Sequence, residues 1–431
     1  MTLHKNETDI LGVGFGPSNL ALAIALQERG ATLNMQFLEA KPAFAWHPDM
    51  MLDGSDMQVS FIKDLVSLRN PASPFSFLSY LHAKGRLERF INRKSFYPSR
   101  HEFNDYFSWA AGHFETECDY DQRVVGAEPL RDANGRITRL AVTSESGAGV
   151  QSTYLTKNLV LALGGRPLVP DTFAQVAQND CVVHSSAYLS TVKPKLKQSD
   201  KPLKIAVIGS GQSGAEIFYD LVNDPHNPQV DFIFRSHALK PSDDSPFVNE
   251  IFNVDFTSYV YQQTPERRRA IMKDFSNTNY SVVDGDLISQ IYGVFYEQDV
   301  VGGSHYTLRR ATRVKEARFE AGQVRLDLGE THGTQTDVQG YDLVILATGF
   351  KRRIGETILS DLKDYVTDAE VGRTYQMATT DEFQPRIFLQ GYCEESHGLS
   401  DTLLSVLAAR VDEIANELVC SNPTPLMSAA E

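Results

Sequence analysis

A short apolar strand that runs into a G-x-G turn and on into an apolar helix has few ways to fold, and this sequence does it twice. The first copy reads Asp9-Ile10-Leu11, then Gly12-Val13-Gly14-Phe15-Gly16-Pro17-Ser18-Asn19, an Ala/Leu-rich stretch to about Arg29, and a second strand, Met35-Gln36-Phe37-Leu38, ending at Glu39. The other reads Leu203 to Ile208, then Gly209-Ser210-Gly211-Gln212-Ser213-Gly214, a helical Ala215 to Val222, and Val230 to Phe234 ending at Arg235. Glycines at such a turn remove the side chains that would hold a pyrophosphate away from the backbone. The helix that follows aims its N–H groups and positive dipole end at the anion. A lone G-x-G is weak evidence, but the full strand, turn, helix and strand context supplied twice makes both copies candidate dinucleotide-binding units. The expected fold is α/β, with two Rossmann-like domains.

The two copies differ where the ribose would lie. In the first, Pro17 stands at the third glycine position, where a first helical residue needs no N–H partner, and Glu39 supplies a carboxylate for an adenosine ribose. In the second, Arg235 and then Ser236 follow the strand with no acid there, the arrangement expected when a ribose 2′-phosphate must be neutralised, which favours NADPH over NADH. The bland alternatives are a solvated strand-end glutamate and a surface arginine. Two such units in one chain imply a tightly held flavin, FAD, and an exchanging nicotinamide, because a hydride must pass between the rings. An oxidoreductase follows.

The 431 residues suffice for a large core without staples, and 42% hydrophobic with 22% charged residues excludes a disordered or fibrous chain. A net charge of −14 argues against a nucleic-acid footprint or a basic membrane-docking face. Cys118, Cys181, Cys393 and Cys420 are widely spaced, with neither a C-x-x-C pair nor metal-ligand spacing, so no disulfide framework and no metal site are expected. No apolar run approaches the ~20 residues of a membrane span, and the polar start reads as no signal peptide, so the expected address is cytoplasmic.

Helices are expected over Pro74 to Lys84 and Glu102 to Phe114, a hairpin about Asp132-Ala133-Asn134-Gly135, and a buried strand at Leu159 to Leu163 before a domain crossing at Gly164-Gly165. Asn249 to Leu287, with a helix from Pro265 to Phe275, reads as a helical insertion over a cleft. The strand Leu343 to Leu346, ending in Ala347-Thr348-Gly349-Phe350, is expected to return the chain to the first domain, and an amphipathic helix to run from about Leu403 to Leu418 before a loose tail after Asn422. The expected division is 1–165 with 341–431 as the first domain, 166–248 with 288–340 as the second, and 249–287 as the insertion.

Disulfide reductases need a redox cysteine pair, which is lacking here. Carbonyl-inserting flavin monooxygenases carry F-x-G-x-x-x-H-x-x-x-(W/Y), and His184-Ser185-Ser186-Ala187-Tyr188 supplies only its second half. The first glycine turn, Trp46-His47-Pro48, Gln58 through Val66, Asn277-Thr278-Asn279-Tyr280-Ser281, Asp342 through Phe350 and His397-Gly398-Leu399-Ser400 together resemble the flavin-dependent N-hydroxylating monooxygenases of siderophore biosynthesis, over nearly the whole chain. Ser67-Leu68-Arg69-Asn70-Pro71 and the Asn277 to Ser281 run look more like the L-ornithine N5 branch than the lysine N6 branch.

The resemblance implies that NADPH reduces FAD, O2 adds at the flavin C4a, and the hydroperoxide passes its distal oxygen to the terminal amine of the substrate. It implies that Lys63 pairs with the substrate carboxylate, with Asn249 at the same end, that Asn279 holds the terminal nitrogen, and that Ser405 contacts the substrate. Gln58 would shelter the peroxide. Trp46, His47, Thr348, Gly349 and Leu403 would contact the flavin, and the homologous assembly would be a tetramer. Phe350 departs from the family, where tyrosine is frequent. Outside the resemblance, turn capping explains Asn249 and Asn279 equally well, and Trp46 reads as a core aromatic. Ornithine, lysine, putrescine and cadaverine stay open as substrates, as does a non-catalytic flavoprotein that senses NADP(H) or scaffolds a partner.

Overall fold

The structure is a computed structural model that describes residues 7–352, 354 and 358–420. The loose tail expected after Asn422 lies outside the described residues.

β1 (Glu7–Val13) is buried along nearly its whole length, as a parallel strand covered on both faces must be. It pairs in parallel with β2 (Met35–Leu38) on one side and with Gln151–Leu161 on the other. Between β1 and β2 runs α1 (Pro17–Glu28), whose residues Asn19 to Leu26 are all buried. A helix apolar all round must be covered all round, and α1 is, by the sheet and by the helix Leu407–Cys420. The first sheet has seven strands. Beyond Gln151–Leu161 it continues antiparallel through Ile137–Glu145 and Arg123–Arg131, the hairpin expected at the Asp132 turn, while Arg386–Leu389 pairs in parallel with Gln151–Leu161.

The second sheet is all parallel: Tyr306–Arg309, Gln229–Ile233, Lys204–Ile208, Leu343–Leu346 and Val182–His184, in that order. The helix Gln212–Val222 follows Lys204–Ile208 and buries its Ala215, Ile217, Phe218 and Leu221 face. Leu343–Leu346 corrects the expectation. It lies inside the second sheet, between Lys204–Ile208 and Val182–His184, with Leu343 opposite Ile205, and does not return to the first. The boundary drawn at 341 therefore cuts through this sheet. The apolar quartet suits a buried parallel strand in either sheet, and only pairing decides which. The chain recrosses just after it, where Phe350–Lys351 pairs antiparallel with Arg166–Pro167, and it rejoins the first sheet at Arg386–Leu389.

Several helix starts also differ from expectation, the helix expected from Glu102 beginning at Arg100 and that expected from Ala215 at Gln212. Ser76 accepts from the N–H of Ser79, so that helix begins at Phe77 and not Pro74, and the last α-helix begins at Leu407 after a short 3-10 turn over Leu404–Val406. The insertion holds Val254–Tyr261 and Pro265–Asp274, and a longer helix, Gly285–Val301, runs across its expected end at 287. Among the described residues no helix is long and apolar enough to cross a membrane.

Candidate active site

At the first turn the three glycines divide the work. A Cβ on Gly12 would sit 2.2 Å from the Phe37 ring, and one on Gly14 2.6 Å from the Ala162 carbonyl oxygen. These two let protein pack on protein. Gly16 has nothing within 4 Å of its missing Cβ and stands as the cap of α1 with no side chain on the helix N–H groups. That combination of open space, bare N–H groups and a helix dipole fits a pyrophosphate. Glu39 receives the N–H of Phe15 at 2.8 Å and that of Lys41 at 3.0 Å, which fixes its carboxylate beside the turn and leaves lone pairs for a ribose.

The second turn repeats the division. Cβ atoms on Gly209 and Gly214 would strike the carbonyl oxygens of Ala347 and Gly209, while Gly211, which caps Gln212–Val222, has Ser281 at 3.8 Å as its nearest neighbour. Ser213 follows in the first helical turn, half-buried. Gln212 is tied into protein: Nε2 donates to Glu216 and Asp284, and Oε1 accepts from the N–H of Asp284. Its side-chain donors are thus spent, and any service to a dinucleotide falls to its backbone. Arg235 is exposed at its strand end, with no side-chain partner among the described residues.

Trp46 packs edge-on against Phe107, centroids 5.3 Å apart, and its backbone N–H donates to Asn104 Oδ1. His47 sits in a left-handed conformation, φ 46°, edge-on to Phe350. Its ring edge reaches solvent, but the crowded cleft walls and then Lys41, Arg100 and Arg352 push the imidazole down to about 4, leaving it neutral at pH 7. Across Phe350 lies His184, whose Nε2 is 3.0 Å from the Gly349 carbonyl oxygen. Gly349 itself is left-handed, with open space at its missing Cβ, and Thr348 donates to the Leu168 carbonyl.

Lys63 lies in a turn-rich loop, not on a helix. The loop is held by the N–H of Met57 on the Pro98 carbonyl, the N–H of Phe61 on the Phe96 carbonyl, and buried Asp64, which accepts from the N–H groups of Val66, Ser67 and Phe77. The Lys63 ammonium is half-buried and meets no carboxylate among the described residues, and burial lowers its pKa. A desolvated cation without a counter-ion is a site for an anion.

The insertion touches both units. Tyr280 donates to Glu394 at 2.5 Å on one side, and Ser281 passes the Gly211 turn on the other. Asn279 directly precedes these anchors in the chain, half-buried, with no side-chain hydrogen bond among the described residues. Asn249 ends the short helix Pro246–Asn249 and donates to the Asp244 carbonyl at 2.7 Å, so part of its amide serves the turn. Ser405 is buried in the turn Leu404–Val406, directly after Leu403. Below them Asp401 and Arg410 form a buried ion pair, and Arg410 also donates to Ser18 in the first turn of α1.

Reasoning from the sequence missed Asp284, Glu216 and Arg100. Asp284 accepts from Gln58 at 2.8 Å and from Gln212 at 2.9 Å, and Glu216 takes two hydrogen bonds from Arg100. Burial raises the Glu216 carboxyl above its ordinary value even though Arg100 pulls it down. No motif marks these three residues.

The profile of the L-lysine 6-monooxygenase/L-ornithine 5-monooxygenase family matches residues 6–352. The chain belongs to that family. An L-ornithine N(5)-monooxygenase of Pseudomonas aeruginosa is 45% identical over 413 residues, covering 95% of this chain and 93% of that one. The solved ornithine hydroxylase of Pseudomonas aeruginosa superposes with a TM-score of 0.92 at 44% identity, covering 96% of this chain and 99% of its own. The ornithine N-hydroxylase of Kutzneria sp. 744, solved with reduced FAD, NADP+ and L-ornithine, superposes at 0.90 with 35% identity, covering 96% and 99%. In this monooxygenase family the enzyme is a flavin-dependent amine N-monooxygenase.

Proposed function

We propose that this enzyme hydroxylates the terminal amine of L-ornithine, with NADPH as reductant and O2 as oxidant, for hydroxamate siderophore biosynthesis. The single observation that carries an amino acid over a diamine is the half-buried Lys63 ammonium with no counter-ion among the described residues. The ornithine enzymes it resembles at 44–45% identity support the chain length. FAD, when bound, supplies the activation of O2 once it has been reduced.

The protein's own part is to bind, orient and dry the site. An alkylamine free in water has a pKa near ~10.4 and is protonated at neutral pH, so the pocket must favour the neutral form. Asn279, uncharged, holds the nitrogen without stabilising the ammonium ion, as a carboxylate there would. Lys63 holds the far carboxylate, with Asn249 at the same end, which sets the reach of the amine, and Ser405 contacts the substrate. Gln58 and the closing insertion keep water from the reacting oxygen. Arg235 takes the 2′-phosphate of NADPH, in keeping with the absence of an acid at that strand end.

Four cysteines without a disulfide fit a reducing cytoplasm. A homo-oligomer is supported by the exposed Tyr292, Tyr296 and Val300, which follow one another at helical spacing, and size-exclusion chromatography with light scattering tests it. The deciding experiment offers ornithine, lysine, putrescine and cadaverine to the FAD-loaded enzyme with NADPH and measures hydroxylamine. Ornithine is expected to lead. Oxygen converted only to free peroxide with all four amines would refute the reading.

A further inference from the structure

Asp284 occupies the cap position of the helix Gly285–Val301, yet its carboxylate makes no capping bond to that helix. Aspartate is among the strongest N-caps, so a carboxylate turned away from its own helix has another use. Its Oδ1 accepts from Gln58 Nε2 at 2.8 Å and its Oδ2 from Gln212 Nε2 at 2.9 Å, while its N–H donates to Gln212 Oε1 at 2.9 Å. Gln58 stands on the loop of the first unit, and Gln212 opens the helix at the second glycine turn. One side chain thus joins both nucleotide-binding units.

A carboxylate accepts hydrogen bonds and does not donate, so both amides must turn their NH2 groups toward Asp284. For Gln212 the remaining N–H goes to Glu216 at 2.8 Å, which engages that amide at both ends. For Gln58 the consequence is directional. Its Oε1 faces away from Asp284, on the exposed side of the loop, with no partner among the described residues.

We propose that Asp284 is a positioning residue that sets the Gln58 amide so that an acceptor oxygen faces the reaction cleft, at a fixed distance from the second nucleotide turn. This rests on reading Gln58 as a residue beside the flavin. Without Asp284 the amide flips freely, and a donor replaces the acceptor for part of the time.

The test compares wild type, Asp284→Ala, Asp284→Asn and a Ser289→Ala control on the same helix, all full-length. In FAD-free protein, backbone hydrogen exchange over residues 57–60 and 211–214 is expected to quicken about tenfold in Asp284→Ala and stay unchanged in the control, while Asp284→Asn, whose side-chain N–H can pair with a turned Gln58 Oε1, is expected to keep most of its protection. In FAD-loaded protein, NADPH oxidation is expected to continue while the peroxide released per NADPH rises several-fold. Unchanged exchange in Asp284→Ala overturns the proposal. So does faster exchange with unchanged coupling, since the bridge would then be structural alone. Failure of the ornithine reading shows separately, as a wild type that forms no hydroxylamine from any of the four amines.

Discussion

Arg100 and Glu216 meet in a two-pronged ion pair, Nη1 to Oε2 at 2.8 Å and Nη2 to Oε1 at 2.6 Å, across the junction of the two nucleotide-binding units. Both side chains are largely shielded, 15% and 8% exposed, so the pair is costly to break from one side. Glu216→Ala leaves a guanidinium without its partner and is expected to cost about 3 kcal/mol or more of unfolding free energy. Glu216→Gln keeps the shape and should cost less. Denaturant melts of the two variants check the order, and equal midpoints for Glu216→Ala and wild type would refute it.

The contrast between Gly12 and Gly16 gives a second test. Gly12→Ala drives a Cβ into Phe37 and is expected to destabilise the protein by about 1–3 kcal/mol, with or without FAD. Gly16→Val enters open space, so the FAD-free protein should melt like wild type but retain little FAD on purification. Absorbance at the flavin band, beside melts of the stripped proteins, separates the two effects.

Lys63→Ala is expected to raise the KM for ornithine by about tenfold to a hundredfold, the worth of a charge-assisted hydrogen bond, with a much smaller change in kcat. The same change should leave the KM for putrescine, which has no carboxylate, almost untouched. A fall in kcat with an unmoved KM would assign Lys63 elsewhere.

The pH dependence of that contact follows from burial. Desolvation lowers the Lys63 pKa below its ordinary value of 10.5, so the charged form is lost on the alkaline side earlier than for a free lysine. The KM for ornithine is expected to climb as pH rises toward 10, and Lys63→Arg, whose guanidinium stays charged, should abolish the climb. A parallel climb in Lys63→Arg would assign the effect to the substrate.

Arg235→Ala should raise the KM for NADPH by about tenfold and leave that for NADH unchanged. Equal losses with both nucleotides would remove Arg235 from the 2′-phosphate.

Much of this molecule is readable residue by residue. β1, the Gly12 turn, α1 and β2 follow from an apolar run, three glycines, a proline at the first helical position and a short second strand, all within about thirty residues. The second unit and the Asp132 hairpin follow likewise, because turn chemistry and burial pattern act over short stretches of chain. Lys63 and Asn279, by contrast, are singled out only by the runs that carry the family resemblance, not by turn chemistry or burial pattern.

What pairing decides is another matter. Leu343–Leu346 is apolar enough for either sheet, and only its register against Ile205 and Val182 puts it in the second. Asp284 looks like any helix cap, and its bond to Gln58 joins positions 226 residues apart. Arg100 and Glu216 are likewise ordinary polar positions on two helices 116 residues apart until packing shields them together. Local sequence determined the two Rossmann-like units, because helix, turn and strand preferences are short-ranged. The tertiary structure alone decided how the units face each other, because hydrogen bonds and ion pairs depend on distance in space and are blind to distance along the chain.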